Sequence, residues 1–202
     1  MGIRKIVHAL SAILLVAGFA SCSNTKYLPA GENLYTGAKV SVNGPELSKK
    51  KKKALSGQLE ALTRPRPNTK ILGLRVKLWL WNIAGNPKRK ISVARLIKKM
   101  GEPPVLASDV NLERNSAILD NTLENIGYFN AAVTGDTVVK KRRARAEYKA
   151  ETGVQYTIRE VFFQEDSSVL QRTVVESSEK TFLKEGDPFN LDIVKAERIR
   201  ID

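Results

Sequence analysis

Apolar residues along this chain change spacing several times, and each change predicts an element. Ile6 to Ala20 is an almost unbroken apolar run behind Arg4 and Lys5. It is shorter than the roughly 20 residues a membrane-spanning helix needs, and it has the layout of a removable secretory signal. Leu34, Ala38, Val40 and Val42 then partly alternate, which predicts a strand from Leu34 to Val42 ended by the turn residues Asn43-Gly44-Pro45. Ser48 is placed to cap a helix reaching about Leu62, with Leu55, Leu59 and Leu62 at helical spacing and Arg64-Pro65-Arg66-Pro67 stopping it. From Ile71 to Trp81 two periods coexist. Leu72, Leu74, Val76, Leu78 and Leu80 alternate as in a strand, while Leu72, Val76, Leu80 and Ile83 fit one helix face.

Ile91 to Met100 reads as a short basic helix closed by Gly101-Glu102-Pro103-Pro104. Asp109 is expected to cap a helix from Val110 to Ile126, whose Leu112, Ile118, Leu119, Thr122, Leu123 and Ile126 form an inward stripe, with Gly127 ending it. Two strands follow, Tyr128 to Val139 and Arg142 to Glu151. In the second, Ala144, Ala146, Tyr148 and Ala150 alternate with Arg143, Arg145, Glu147 and Lys149, the pattern of a half-buried antiparallel pair. A further strand from Gln155 to Phe163, a helical segment from about Ser168, and a helix from about Asn190 behind Gly186-Asp187-Pro188 complete the reading. At an offset of 84 residues, Pro104, Val110, Glu113 and Arg114 coincide with Pro188, Val194, Glu197 and Arg198. Such recurrence predicts a loop-and-helix unit used twice.

Chemistry enters first through the only cysteine. Phe19-Ala20-Ser21-Cys22 has the form of a lipobox, with Phe where Leu is usual, so cleavage is expected after Ser21 and Cys22 is expected to carry the lipid. One cysteine permits no intrachain disulfide, although the signal directs the chain to an oxidising compartment. No acidic residue follows Cys22 in Ser23-Asn24-Thr25-Lys26, which favours the periplasmic side of the outer membrane.

Charge adds an asymmetry. Removing the signal leaves 32 Lys and Arg against 21 Asp and Glu, a net +11. Lys49 to Lys99 holds 16 bases against the single Glu60, net +15, whereas Gly101 to Asp202 holds 14 against 18, net −4. A basic first part facing something anionic is the natural reading, and for an exported chain that means phospholipid headgroups or a partner protein rather than nucleic acid. Lys49, Lys50, Lys51, Lys52, Lys53, Arg64 and Arg66 are the candidate basic face, and Trp79 and Trp81 candidate residues for a membrane interface. Packing in a core is the other role open to the two tryptophans.

The only histidine, His8, lies within the signal. A mature chain without His, and without Cys beyond Cys22, excludes zinc sites of the Cys and His type and nucleophiles activated by imidazole. No phosphate-cradling glycine motif or carboxylate cluster stands out. The chain is therefore read as non-enzymatic and as needing no cofactor.

The order strand, helix, helix, strand, strand resembles a POTRA domain, the polypeptide-transport-associated module. Carrying the likeness are Gly101-Glu102-Pro103 at the entry to the second helix, Leu123 with Ile126-Gly127-Tyr128-Phe129, Val133, Tyr148, and Gly153-Val154-Gln155-Tyr156. Together with Cys22-Ser23-Asn24-Thr25-Lys26-Tyr27-Leu28-Pro29 and Leu34-Tyr35-Thr36-Gly37-Ala38-Lys39-Val40, the chain resembles the start of TamL-type lipoproteins of the BamA/TamA outer-membrane assembly superfamily. The resemblance implies an α+β fold of β-α-α-β-β modules with helices on one face of a small mixed sheet. It implies a signal peptide at 1–21, a lipid-anchored tether at 22–33, a first POTRA-like domain at 34–153 with a basic insertion at 68–100, and the start of a second at 154–202. Family members end in an outer-membrane barrel, and this sequence is expected to stop before it.

The implied function is periplasmic binding of client or partner chains in outer-membrane protein assembly or translocation, by addition of an extended strand to an exposed sheet edge. Tyr128, Phe129, Val133, Tyr156 and Ile158 are the candidate edge. Outer-membrane clients or a TamB-like partner are the expected partners, with the membrane reached through Cys22. Residues 68–99, longer than a usual link between POTRA helices, are a candidate contact for the membrane or for that TamB-like partner. The alternative reading is an anchored lipoprotein whose basic face binds anionic lipid or glycolipid.

Overall fold

The computed structural model describes residues 24–85, 93–163, 175 and 178–202. Three strands make one sheet: β1 (Leu34–Asn43), β2 (Ala132–Lys140) and β3 (Arg143–Glu151), in the order β1-β3-β2. Among the described residues, five helices accompany them: α1 (Lys49–Leu62), α2 (Val76–Ala84), α3 (Val93–Met100), α4 (Leu112–Asn125) and α5 (Leu191–Ile201). The fold is α+β. The signal segment and Cys22 lie outside the described residues, as do Lys88 to Lys90 and most of the helical segment expected from Ser168.

Register makes the sheet mixed. The Leu34 N–H donates to the Arg142 carbonyl at 3.0 Å, and nine residues further along β1 the Asn43 carbonyl accepts from the Thr152 N–H at 2.9 Å. Partners that advance together in both strands define a parallel pair. β2 and β3 form a hairpin through Lys141 and Arg142, both at positive φ (49° and 57°), the backbone of a two-residue turn of the I′ type. The alternation read in β3 is real. Ala144, Ala146, Tyr148 and Ala150 are all at least 99% buried, while Arg143, Arg145 and Lys149 are exposed.

Caps explain the helix boundaries. The Ser48 hydroxyl accepts from the Lys51 N–H, so α1 starts where expected. For α4 the cap is Asn111, whose side chain accepts from the Arg114 N–H at 2.8 Å. Asp109, the expected cap, instead accepts from the Leu106 N–H and closes the short 3-10 turn Ala107–Asp109. The end of α4 shows why the second strand was read too early. Gly127 adopts φ 92°, its N–H bonds the Glu124 carbonyl, and the Tyr128 N–H bonds the Leu123 carbonyl. Those two bonds form a Schellman closure, so Tyr128 belongs to the helix terminus and the strand begins only at Ala132.

Of the two periods in 71–81, the helical one prevails from Val76 onward. Leu72 (φ 49°) and Gly73 (φ 80°) turn the chain back so that Ile71 pairs with Leu74 in an isolated bridge, and α2 then buries Leu78 and Asn82 one turn apart. Among the described residues the expected strand at 155–163 amounts to a single bridge between Thr157 and Pro188. Nor are the offset residues equivalent. α5 begins three residues after Pro188 but α4 eight after Pro104, so Glu113 sits in an exposed first turn while Glu197 is buried in mid-helix.

The contacts divide into two units. One comprises residues through Gly37, 65–110 and 138–145; the other comprises 38–64, 111–137 and 146–202. In the first unit Leu28, Leu34 and Leu78 form a core with Leu106 against it. α2 and α3 approach closely at Gly101, where any β-carbon would lie 2.6 Å from the Trp81 backbone nitrogen. In the second unit Leu55 and Leu59 of α1, Leu119 and Leu123 of α4, and Ala146, Tyr148 and Ala150 of β3 are buried. Asn115 lies on the same α4 stripe, buried among them. Its side chain donates to the Arg64 carbonyl (2.6 Å) and the Tyr148 hydroxyl (2.9 Å) and accepts from the Arg64 N–H (3.0 Å).

Candidate functional site

A strand at the margin of a sheet keeps one row of backbone N–H and C=O groups unused by its neighbour. With β3 central, β1 and β2 are the two margins. The hairpin register fixes which β2 groups turn outward. Lys140 and Arg143 flank the two-residue turn as a hydrogen-bonded pair, so Lys140, Val138, Asp136, Thr134 and Ala132 address β3. Val133, Gly135, Thr137 and Val139 therefore direct their N–H and C=O groups away from the sheet. Two contacts agree with this register. A β-carbon at Gly135 would meet the Tyr148 ring at 2.7 Å, as expected for directly opposed residues, and the Thr137 N–H donates to the Asp136 carboxylate at 2.7 Å instead of joining the ladder.

The β1 margin is partly capped. At its start the Tyr35 N–H donates to the Val105 carbonyl at 2.9 Å and the Asn33 carbonyl accepts from the Ala107 N–H at 2.8 Å. Further along, the Glu60 carboxylate on α1 accepts from the Val40 N–H at 3.0 Å. Along β2, among the described residues, only Asp136 supplies a comparable cover.

Of the five residues expected on an edge, Val133 alone occupies one. Tyr128 is 4% exposed in the α4 closure, and burial, followed by the charge of Glu46, raises its phenol pKa. Phe129 stacks edge-on against Tyr156 at 5.3 Å and against Phe189 at 5.0 Å. Tyr156 and Ile158 have their backbones engaged: the Tyr156 N–H reaches the Gly127 carbonyl and its own carbonyl accepts from Phe189, while Ile158 exchanges bonds with Asp187 and Gly186. Phe129, Tyr156 and Ile158 tie the 155–158 segment to the 186–189 loop and Tyr128 closes α4, so all four correct the expected edge. Sequence reading missed Gly135, Thr137 and Val139. The hairpin register is set by the left-handed Lys141 and Arg142, and neither residue type announces such a turn in the sequence.

The basic residues are dispersed. Lys49, Lys50, Lys51 and Lys53 are exposed and Lys52 is half-buried in the first turns of α1, where no acid offsets the positive helix end. The Arg64 guanidinium donates to the Ala61 and Thr63 carbonyls, and Arg66 is exposed. Trp79 and Trp81 are half-buried on α2, with the Lys98 ammonium 4.5 Å from the Trp81 ring. Among the described residues no three His, Cys, Asp or Glu side chains cluster as metal ligands would, and no helix is long and apolar enough to cross a membrane.

No family model matches the chain, and no curated protein does. Among solved structures it is similar to the crystal structure of Haemophilus influenzae BamA POTRA3–5, at 14% identity and a TM-score of 0.29, over 87% of this chain and 88% of that one. The α+β assignment stands on the strand order and register above.

Proposed function

We propose that this chain is a lipid-anchored, periplasm-facing POTRA-type scaffold that receives extended client or partner chains in outer-membrane protein assembly. The incoming chain adds as a strand along β2. One observation carries the reading: among the described residues, β1 has its outward N–H groups at Tyr35 and Val40 capped by Val105 and Glu60, whereas β2 turns the backbone of Val133, Gly135 and Val139 outward without such caps. Recognition of this kind reads main chain more than side chain, which suits clients that share a strand but not a sequence. The order β-α-α-β-β, interrupted by α2 and α3, agrees with the module that the sequence resembles. Membrane attachment and compartment rest on the lipobox at Cys22.

Proline supplies the test, because it removes an N–H without adding charge and is tolerated on the outward side of an edge strand. Val133→Pro and Val139→Pro are expected to abolish binding of an alternating outer-membrane strand peptide while the far-ultraviolet spectrum stays unchanged. Retained affinity in both variants would dismiss strand addition at β2.

A further inference from the structure

The first unit carries a second surface, independent of the β2 margin. α3 places Val93, Leu96, Ile97 and Met100 on one face at helical spacing, with Arg95, Lys98 and Lys99 around it. Part of that apolar arc serves the α2 contact: Ile97 is half-buried, and Gly101 beyond it meets Trp81. The rest is open, with Val93 75% exposed and Leu96 and Met100 each 62%. The hairpin at 71–74 is odder still. Leu72 is 97% exposed at its tip and holds a left-handed φ of 49°, a conformation that costs a non-glycine residue about 1 kcal/mol or more and that Asn or Gly would adopt more cheaply. Ile71 and Leu74 beside it are nearly half-exposed.

We infer that the 71–74 hairpin and α3 form a membrane-docking element, in which Leu72 and the Val93, Leu96 and Met100 face enter the interface of an anionic bilayer. Charge selects the occupant. From Lys70 to Lys99 the sequence has nine Lys and Arg and no Asp or Glu; Lys77 among them pairs with Glu102 at 3.3 Å, and the three at 88–90 lie outside the described residues. Each base near an anionic leaflet contributes on the order of 1 kcal/mol. A second copy docking through the same face across a two-fold axis would set these cations against one another. Protein interfaces exclude lysine from their cores, whereas helices lying in a bilayer surface pair an apolar face with Lys and Arg. The apolar residues also project from a hairpin tip and a helix side instead of lining a groove. The proposal assigns the contact to lipid and leaves the β2 edge for chains.

Trp79 and Trp81 are the only tryptophans in the chain, so they report on α2 and α3 without a label. The full chain is reconstituted in vesicles containing brominated acyl chains, with phosphatidylglycerol or with phosphatidylcholine alone. Tryptophan quenching is expected with the anionic lipid and is expected to fall with the zwitterionic one. Leu72→Asp should weaken the docking equilibrium by about tenfold, and Val93→Asp with Leu96→Asp and Met100→Asp by more. These positions are exposed, so the variants should keep the parent melting temperature. Should a variant unfold, Arg95→Glu with Lys99→Glu provides the same reading through charge. Absence of quenching in the parent, quenching indifferent to every variant, or equal quenching in both lipids would overturn the proposal. So would sedimentation showing a dimer that Leu72→Asp dissociates. Loss of docking with strand-peptide binding intact would leave the scaffold reading untouched.

Discussion

The two margins of the sheet solve the same problem differently. β1 has its outward N–H groups capped at two points, Tyr35 by the Val105 carbonyl and Val40 by the Glu60 carboxylate. β2 carries Asp136, which covers the Thr137 N–H from within the strand and can swing away. Covered edges keep sheets from pairing with unintended chains, and in the function proposed above the β2 margin, uncapped among the described residues except at Thr137, is the place for pairing. The difference lies in which carboxylate can move. Glu60 is fixed on a helix packed against the core, while Asp136 is exposed on a hairpin.

Breaking the inward side of β2 should have the largest effect. Thr134→Pro removes a ladder bond, so a loss of about 3 kcal/mol or more is expected in urea unfolding, against little change for Val133→Pro. If both prolines cost the same, the hairpin register is wrong. Asn115→Leu should come next, at about 2–3 kcal/mol, because the Arg64 backbone and the Tyr148 hydroxyl would lose their buried partner.

Glu197 gives a pH test in the second unit. It is 3% exposed and accepts from Arg200, the Phe182 N–H and Thr181. The Arg200 hydrogen bond foremost, against the cost of burial, holds its carboxyl at about 2. A carboxyl lowered on folding contributes stability above its unfolded value near 4.5, and that contribution disappears as the pH falls toward 2. Thermal melts should show a loss across this window in the parent and none attributable to position 197 in Glu197→Gln. Unchanged pH dependence in the variant would separate Glu197 from acid unfolding. The smallest effect belongs to Glu60→Ala, about 1 kcal/mol, through exposure of the Val40 N–H. That variant sharpens the comparison, since it should also make β1 a second acceptor for strand peptides.

Much of this was legible in the sequence because local signals agreed. Ser48, the alternation in β3 and the glycine after α4 each announced their elements. The failures have physical causes. Tyr128 and Phe129 have strand-forming side chains, but the left-handed Gly127 makes Tyr128 part of a helix closure. Residues 155–163 read as a strand, yet among the described residues their backbone meets Gly127 and the 186–189 loop instead of a neighbouring strand, which no local pattern reveals. Asn115 is a polar residue on the inward stripe, four residues before Leu119. Its burial depends on backbone groups at Arg64, distant in sequence.

Amide mapping with an alternating outer-membrane strand peptide tests the central claim most directly. The account predicts shifts concentrated at Val133, Gly135, Thr137 and Val139, strengthened by Asp136→Ala and absent from Val133→Pro. Shifts centred instead on Val40 or on Tyr156 and Ile158, or binding undiminished by Val133→Pro, would contradict it.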